Sequence, residues 1–571
     1  MTLRPCREES VDFDNTKNLY IEGDNLEVLK ILRETYLGKV KMIYIDPPYN
    51  TGNDFVYNDN FSMSVNDYSE VSGESDDSGN RLFLNTSSNG RFHTDWLNMI
   101  YPRLSLSKDL LSEDGFIAIS IDDSELNNII NICNEIFGEI NHIATIVRNT
   151  NSSKNQSLFV SVSHEYCVLY ARNIECLKEK HSESKWSVPK NNIVEYKKKV
   201  EQLKKEGLTS EEITEELKTL TKYPRFIDFT NYWYFDKRGL YRKDNLGGVR
   251  NGNMKPIINP LTGKEDPVPP GGFRYSEEKM NELIADERIH FHTDGSLPVL
   301  KRYLSDNEEQ RPKSIMSDDQ RPDYSLLQRY NLPFDNPKQL AFMERLLYVL
   351  DKDSVILDFF AGSSTTAHAV MNLNNADHGD RKFIMVQIPE HIDVSTEAGK
   401  LGYTNICEIG KERLRCAGRE LKISQMGNED EYSLDVGFRV FKCDSSNFRD
   451  IFYSPEGKCR ETLEDYVDVI KDDRGSEDLL VQVMLESGIE LSSIIERKDV
   501  QGNTVFSVDD GYLVACFDDE INDSTVTEIS KEMSGCMYAV FRSGSSMTDE
   551  MLANIEQIFK TYSPQTKIRI L

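Results

Sequence analysis

Two short apolar runs, each ending abruptly in a polar turn, constrain this chain most. Residues 40–45 have the length and the β-branched and aromatic content of a buried strand, and Asp46-Pro47-Pro48-Tyr49 ends them. More than 300 residues later, 353–358 form a second such run, which leads into a small-residue turn at 359–366. Stretches with helical apolar spacing lie beside both runs, at 26–37, 339–350 and 366–373. This alternation predicts an α/β fold with a doubly wound, mostly parallel sheet.

The chain is too long for one core, since single cores stop growing at roughly 250–300 residues and this sequence has 571. The α/β pattern occupies 1–174 and returns at 331–425, so we expect these segments to form one domain. Between them, 175–330 predict an inserted, irregular α+β region with a charged amphipathic stretch at 193–222, and the polar residues 62–91 predict a loop. Residues 426–571 are predicted to form a separate acidic α/β domain, since 431–571 hold twice as many acids as bases.

The Asp46-Pro47-Pro48-Tyr49 turn is rich in hydrogen-bond acceptors. Its two prolines rigidify the strand exit and remove two backbone donors, so the Asp46 carboxylate and the neighbouring carbonyls remain as acceptors. Such a group suits a ligand that presents two N–H donors, and the exocyclic amino group of a base is one. Tyr49 adds a flat face for stacking. The alternative, a rigid turn with an incidental acid, does not account for the order of strand, acid and aromatic.

The turn after residue 358 has small residues that let a ligand approach the backbone. Open α/β sheets bind ligands at the carboxyl ends of their strands, where this turn is expected to lie. A nucleotide-phosphate site is an alternative, but no Gly-Lys-Ser/Thr follows, which excludes a Walker-type phosphate loop. Gln387, at the end of the next predicted strand (381–387), or Glu390 is placed to bind a ribose.

The net charge of −29 is unfavourable for binding nucleic acid, but the charge is unevenly distributed. Between 222 and 255, basic side chains alternate with aromatic ones, a pattern typical of surfaces that bind phosphates and stack bases. This segment predicts eight nucleic-acid-binding residues: Lys222, Arg225, Lys237, Arg238, Tyr241, Arg242, Lys243 and Arg250. An aromatic core with a solvated basic rim is the alternative interpretation, and the segment by itself does not decide between the two.

The cysteines and the hydropathy of the sequence indicate which kinds of protein this chain can be. The ten cysteines include no CxxC pair, so neither a structural zinc site nor a disulfide framework is supported. No stretch approaches the roughly 18 apolar residues that would cross a bilayer. The first ten residues do not have the pattern of a secretory signal. We therefore expect a cytoplasmic protein without a metal and without membrane contact.

In their order along the chain, these motifs resemble the β group of DNA amino-methyltransferases, in which a (D/N/S)PP(Y/F/W) motif precedes the target-recognition region and the cofactor motif follows it. The chain is more closely similar to the modification subunit of Type III restriction–modification systems. The similar stretches cover most of 18–173 and 333–390: IEGDNLEVLK, VKMIYIDPPYNTGNDFVYND, HTDWLNMIYPRL, DGFIAISIDD, HEYCVLYARN, FDNPKQLAFMERLL and DFFAGSSTTAHAV. Two positions depart from the family pattern: Ser364 replaces the second glycine of FxGxG, and the usual Lys-Pro appears as Pro337-Lys338.

The resemblance implies a circularly permuted, Rossmann-like methyltransferase that uses S-adenosylmethionine to methylate N6 of adenine in double-stranded DNA. It implies that Asp46, Pro47, Pro48 and Tyr49 are catalytic, with Asp46 and the Pro47 carbonyl accepting the amino hydrogens of a flipped-out base. The cofactor residues that it implies are Asp358, Phe359, Phe360, Ala361, Gly362, Thr365, Thr366, Gln387, Asn336 and Lys338. Asp24 and Asn25 are expected either to shape this site or only to cap a helix.

The same resemblance implies a homodimer and a separate nuclease–helicase restriction subunit as partner. In this hypothesis 175–330 select the DNA sequence, and the acidic residues 426–571 make oligomer or partner contacts. Two alternatives stay open. Methylation of cytosine N4 needs the same geometry as methylation of adenine N6, and the chain could act chiefly as a DNA-reading subunit for a nuclease–helicase partner.

Overall fold

The computed structural model describes residues 1–52, 55–57, 82–84, 90–149, 159–317, 320–334, 336–426, 433–449, 470–532, 535–543 and 548–571. The chain divides into a first unit of 1–147, 165–183 and 321–571 and a second unit of 148–164 and 184–320. The insertion predicted at 175–330 therefore has different bounds: 175–183 and 321–330 belong to the first unit, and 148–164 belong to the second. Most of the loop predicted at 62–91 lies outside the described residues.

Up to residue 183 the chain alternates strands with helices. The strands are β1 (Thr2–Pro5), β2 (Leu19–Glu22), β3 (Val40–Ile45), β4 (Phe55–Tyr57), β5 (Leu82–Leu84), β6 (Leu111–Ile121), β7 (His142–Asn149) and β8 (His164–Ala171). The helices are α1 (Asn25–Tyr36), α2 (Phe92–Leu110), α3 (Leu126–Ile136) and α4 (Ile174–Lys180). The strand predicted at 40–45 is confirmed as β3.

The second unit combines a helical hairpin with short strands. Its helices are α5 (Ile193–Lys205), α6 (Ser210–Leu220) and α7 (Glu277–Ala285), with a 3-10 turn at Pro224–Phe229. Its strands are β9 (Val188–Pro189), β10 (Tyr234–Asp236), β11 (Gly239–Asn245), β12 (Ile289–His290), β13 (Val299–Tyr303), β14 (Glu309–Gln310) and β15 (Ile315–Ser317). The charged amphipathic stretch predicted at 193–222 forms the two helices α5 and α6, and α6 begins at a capping box made by Thr209 and Glu212.

Residues 321–571 return to long helices and strands. The helices are α8 (Arg321–Arg329), α9 (Leu340–Leu347), α10 (Thr365–Asp377), α11 (Glu397–Lys400), α12 (Ile406–Gln425), α13 (Ser476–Glu486), α14 (Asp523–Glu532) and α15 (Asp549–Tyr562). The strands are β16 (Val355–Asp358), β17 (Lys382–Gln387), β18 (Arg439–Asp444), β19 (Ile495–Val500), β20 (Asn503–Val508), β21 (Leu513–Cys516), β22 (Tyr538–Phe541) and β23 (Lys567–Ile570). None of the helices in the described part of the chain has the length and apolarity needed to cross a membrane.

The large sheet of the first unit is mostly parallel, as predicted. Its strands follow the order β1-β18-β2-β17-β16-β3-β6-β8-β7. The five pairs from β18 to β6 are parallel, whereas β1 with β18 and β6 with β8 are antiparallel. Leu19, Ile21 and Ile43 share one apolar cluster with α1 and α2, and Tyr20 and Met42, which point to the opposite face, are buried too. Both faces of the sheet are therefore covered.

The C-terminal part does not begin where the sequence predicts. Strand β18 lies beyond the boundary predicted at 426, yet it pairs with β1 and β2 in the large sheet. A five-stranded mixed sheet, β19-β20-β21-β22-β23, forms only after residue 494. Its two faces are buried in separate clusters, with Phe506 and Val540 on one face and Val505 and Phe541 on the other. The sheet that belongs to the C-terminal part alone therefore starts well after residue 426.

Candidate active site

The turn after Asp46 and the turn after Asp358 lie side by side. Strands β3 and β16 are adjacent and parallel, and Asp358 pairs with Tyr44, two residues before Asp46. From β16 the sheet continues to β17 on one side, and from β3 it continues to β6 on the other, so the strand order reverses between them. This switch point is where open α/β sheets bind ligands. The two motifs, remote in sequence, therefore share one crevice, as expected.

The exit of β3 is held by hydrogen bonds from other elements. Trp96 on α2, which has no exposed surface, donates from Nε1 to the Pro48 carbonyl at 2.7 Å. Asn50 has a left-handed backbone, with φ at 60°, and donates from Nδ2 to Oε1 of the buried Glu125 at 2.6 Å. Left-handed φ costs energy in a residue other than glycine, so the bond to Glu125 helps to hold it. The acceptor groups of the turn are thus presented by a rigid backbone.

Lys338 places its ammonium group at this acceptor turn. Its Nζ lies 3.0 Å from Asp46 Oδ1 and 3.1 Å from Glu165 Oε2, and it also donates to the Tyr49 hydroxyl. The Tyr49 hydroxyl in turn donates to Glu165 Oε2 at 3.2 Å. The resemblance predicts Lys338 at the cofactor, whereas these contacts are with the acceptor side of the crevice. Glu165 was not predicted as a site residue, although it lies within the family stretch HEYCVLYARN.

Asp358 ends β16 with a buried carboxylate that organises the next turn. Its Oδ1 accepts from the Phe360 backbone N–H at 3.1 Å, and its Oδ2 accepts from the Thr366 hydroxyl at 2.6 Å. Gly362 has φ at 50°, which favours glycine, and its N–H donates to Gln387 Oε1 at 2.7 Å. The Gln387 side chain therefore supports the turn from the end of β17.

The predicted cofactor residues differ in exposure. Six of them are buried within the turn or at the strand ends beside it: Asp358, Phe359, Ala361, Thr365, Thr366 and Gln387. Phe360 and Gly362 are half-buried at the surface of the crevice, and Asn336 is exposed with φ at 51°. The buried residues thus shape the turn, and the partly exposed ones are accessible to a ligand.

Asp24 and Asn25 take different roles. Asp24 caps α1, since its Oδ1 accepts from the backbone N–H groups of Leu26 at 2.9 Å and Glu27 at 3.2 Å. Asn25 is 1% exposed and donates from Nδ2 to the Phe359 carbonyl at 2.8 Å. Capping a helix and shaping the site were the two alternatives expected for this pair. Asp24 does the first, and Asn25 does the second.

A buried arginine beneath the turn was not predicted. Arg413 on α12 has no exposed surface, and its Nη1 donates to Ser363 Oγ and Thr365 Oγ1, both at 2.7 Å. Burial lowers the pKa of Arg413 to about 10. Ser364, between these two residues, has φ at 62°, so it keeps the left-handed backbone of the glycine that it replaces. No local sequence pattern marks Arg413 as a site residue. It comes almost fifty residues after the turn in the chain, and it lies on an amphipathic helix where a buried position is ordinary.

The side of the crevice formed by the turn after Asp358, called the donor side below, carries carboxyl groups. Burial raises the pKa of Asp358 to about 7, and the Asp46 carboxylate adds to the shift. Burial also raises the pKa of Glu390, which follows β17. The buried Asp358 carboxylate, which binds the backbone N–H of the half-buried Phe360, suits a cationic nucleoside better than a phosphate group. S-adenosylmethionine, with its sulfonium and ammonium charges and its ribose hydroxyls, fits these residues.

The eight residues predicted to bind nucleic acid all lie in the second unit. Five of them are exposed: Lys222, Arg225, Lys237, Arg238 and Arg250. Two, Arg242 and Lys243, are partly buried. Tyr241 is only 5% exposed, with its ring centroid 5.8 Å from that of Tyr234 and 5.7 Å from that of Tyr303. Its ring is part of the core, so the prediction that Tyr241 contacts nucleic acid is corrected.

Other aromatics of the same segment are also buried. Phe226, Phe229 and Tyr232 form the core of the second unit, and Phe229 stacks on Tyr196 with ring centroids 4.2 Å apart. For these residues the alternative interpretation, an aromatic core with a basic rim, is correct. In the parts of the chain that the structure describes, no group of three or more His, Cys, Asp or Glu side chains could hold a metal ion.

Comparison with known proteins agrees with this site. A family model described as DNA methylase matches residues 40–398. The Mod subunit of the Type III restriction-modification enzyme EcoP15I from Escherichia coli is 33% identical over 97% of this chain and 85% of its own length. The chain belongs to the Type III modification subunits of the DNA methylase family.

A second Mod subunit agrees with this assignment. The EcoPI Mod subunit of Escherichia phage P1 is 35% identical over 70% of this chain and 62% of its own length. Among solved structures, a crystal structure of a putative DNA modification methylase from Thermus thermophilus, complexed with S-adenosyl-L-methionine, aligns with a TM-score of 0.31 and 12% identity. That alignment covers 74% of this chain and 99% of the other.

Proposed function

We propose that this DNA methyltransferase transfers the methyl group of S-adenosylmethionine to N6 of an adenine that is flipped out of double-stranded DNA. The observation that carries the proposal is the adjacent placement of the Asp46 and Asp358 turns at one sheet edge. An acceptor turn and a donor turn in one crevice are what direct transfer requires. Adenine is proposed over cytosine because an aspartate opens the acceptor motif, as the sequence resemblance suggests.

The acceptor turn activates a weak nucleophile. The lone pair of adenine N6 is delocalised into the ring, so the amino group is planar and unreactive. When the Asp46 carboxylate and the Pro47 carbonyl accept its two hydrogens, the nitrogen becomes more tetrahedral and its lone pair is directed out of the ring plane. After methylation the nitrogen carries an extra proton, for which Asp46 is the proposed acceptor. Flipping costs a few kcal/mol, which stacking on Tyr49, at about 1–3 kcal/mol, offsets in part.

The donor is proposed to lie along the turn after β16. When bound, S-adenosylmethionine supplies an electrophilic methyl group on a positively charged sulfur. Asp358 favours that charge, Phe360 and Gly362 offer the accessible surface, and Glu390 is the proposed partner of the ribose hydroxyls. Gln387 already holds the Gly362 N–H, which favours Glu390 over Gln387 for the ribose. Because the donor strands β16 and β17 follow β3 in the chain, we also propose that the motif order is circularly permuted.

The second unit is proposed to select the DNA sequence. Its exposed lysine and arginine side chains suit contacts with DNA phosphates. Tyr241 does not belong to this surface because it is buried. As the names of the related Mod subunits suggest, we propose that the chain works in the cytoplasm as the modification subunit of a Type III restriction–modification system. In such a system a nuclease–helicase subunit would be its partner, and a homodimer formed through 426–571 is the proposed oligomer.

A methylation assay followed by nucleoside analysis tests this function. The full chain is incubated with duplex DNA and methyl-labelled S-adenosylmethionine, and the digested nucleosides are separated by mass spectrometry. The proposal expects N6-methyladenine, its loss in Asp46→Ala, and normal rates in Asp353→Asn, which changes an exposed aspartate just before β16. N4-methylcytosine as the product would overturn the base assignment. A fully active Asp46→Ala variant would overturn the mechanism.

A further inference from the structure

Lys338 is held inside the crevice between two carboxylates. Its side chain is 10% exposed, and its Nζ lies 3.0 Å from Asp46 Oδ1 and 3.1 Å from Glu165 Oε2. It also donates to the hydroxyl of Tyr49, with Nζ 4.8 Å from the centre of the ring. The ammonium therefore lies near the hydroxyl end of that ring. These three partners belong to the acceptor side of the crevice, although Lys338 itself precedes α9.

The charges around Asp46 explain why a cation is needed there. Glu165 comes from β8, and Asp358 comes from β16, where the Asp46 carboxylate helps to raise its pKa. Asp122, after β6, interacts electrostatically with Glu165, and burial raises the pKa of Asp122. Without Lys338 these carboxylates would face one another in a partly desolvated space with no cation between them. Asp46 would then lose the contact that holds its carboxylate where it can accept one hydrogen of an amino group, beside the Pro47 carbonyl.

We propose that Lys338 is a positioning residue of the acceptor turn, which bridges Asp46 and Glu165 and thereby holds the Asp46 carboxylate and the Tyr49 ring in place for the incoming base. The inference rests on the proposed function, and it deepens that function by giving Lys338 and Glu165 roles in presenting the acceptor. It differs from the role that the resemblance implies, in which Lys338 contacts the donor.

The two roles predict different effects of Lys338→Met. If Lys338 positions the acceptor turn, kcat falls while the Kd for S-adenosylmethionine changes by less than about threefold. The acid side of the pH profile of kcat moves to higher pH by about one unit, since an opposite charge within reach favours the ionised carboxylate by that amount or more. Lys338→Arg, which restores the charge, is expected to return the profile most of the way.

The Glu165→Gln variant tests the direction in which the pH profile of kcat shifts. Removing this anion changes the charge of the crevice in the opposite sense to removing the Lys338 cation, so the acid side of the profile is expected to move to lower pH, opposite to the effect of Lys338→Met. A merely structural role would not produce shifts of opposite sign. Lys352→Met, at an exposed lysine before β16, is the matched control and should leave the profile unchanged.

The experiment measures kcat against pH and the Kd of S-adenosylmethionine by calorimetry, for the full chain and these four variants. Opposite shifts with a nearly constant Kd support the proposal. A Kd raised about tenfold in Lys338→Met with an unshifted profile would overturn it in favour of the donor role. Shifts of the same sign in Lys338→Met and Glu165→Gln would also overturn it. Failure of the proposed function is distinguished separately, because the unsubstituted chain would then form no N6-methyladenine at any pH.

Discussion

Lowering the pH should weaken the binding of S-adenosylmethionine through one carboxylate, Asp358. This side chain is 2% exposed, and burial raises its pKa to about 7. At acid pH it is therefore protonated and neutral, and the bound donor, which carries positive charge, must displace that proton. The donor favours the ionised form, so its affinity should fall as the pH falls below 7 and level off above it.

The size of the effect follows from the pKa. With a value of about 7, Asp358 is about half ionised at pH 7.0 and about 3% ionised at pH 5.5, so Kd should rise by about fifteen-fold between these conditions. This corresponds to about 1.6 kcal/mol of binding free energy. At pH 6.0, binding should release about 0.9 proton from this group. The amino group of the donor stays protonated over this range, since α-amino groups titrate near pH 8.

Isothermal titration calorimetry in two buffers of different ionisation enthalpy measures both Kd and the protons released. Asp358→Asn is the matched variant, which should bind weakly at both pH values and release no proton from this site. A Kd that is the same at pH 5.5 and 7.0 for the unsubstituted chain, with no proton release at pH 6.0, would show that Asp358 is not coupled to the donor. The geometry of the donor turn would then need another explanation.

Further predictions concern the acceptor turn and the second unit. Trp96→Phe removes the N–H that satisfies the Pro48 carbonyl at 2.7 Å, so it should lower the free energy of unfolding by about 1–3 kcal/mol in chemical denaturation; unchanged stability would refute this. Lys237→Ala and Arg250→Ala should each weaken DNA binding and reduce the slope of log K against log salt by about one; an unchanged slope would remove that residue from the proposed surface. Tyr241→Phe should leave DNA affinity within about twofold, because the ring is buried; a large loss would reinstate the residue.

Local sequence patterns predict much of this fold because apolar runs end at residues that break them. The strand expected at 40–45 is observed at Val40–Ile45, where two prolines follow, and the strand expected at 381–387 is observed at Lys382–Gln387. The adjacency of β3 and β16 was also predictable, since each is followed by a turn suited to ligand binding, and ligands bind at one edge of an open α/β sheet. These two turns thus indicated which distant strands lie side by side.

Contacts between distant side chains were not predictable in this way. Glu165 and Arg413 reach the two turns from a strand and a helix whose local patterns only indicate burial. Strand β18 joins the large sheet through backbone hydrogen bonds, which any residue can make, so its sequence does not reveal its neighbours. The pattern of basic and aromatic side chains at 222–255 fits a core or a surface equally well, and only the packing of the folded chain shows that Phe229 lies in the core.

The most direct test of the account is a crystal structure of the full chain with adenine-containing duplex DNA and an unreactive analogue of the methyl donor. The account predicts a flipped adenine whose N6 lies about 3 Å from both the Asp46 carboxylate and the Pro47 carbonyl, with its ring stacked on Tyr49 and the donor analogue along the turn after β16. An adenine that stays in the duplex, or one whose N6 is bonded elsewhere while Asp46 faces away, would contradict it.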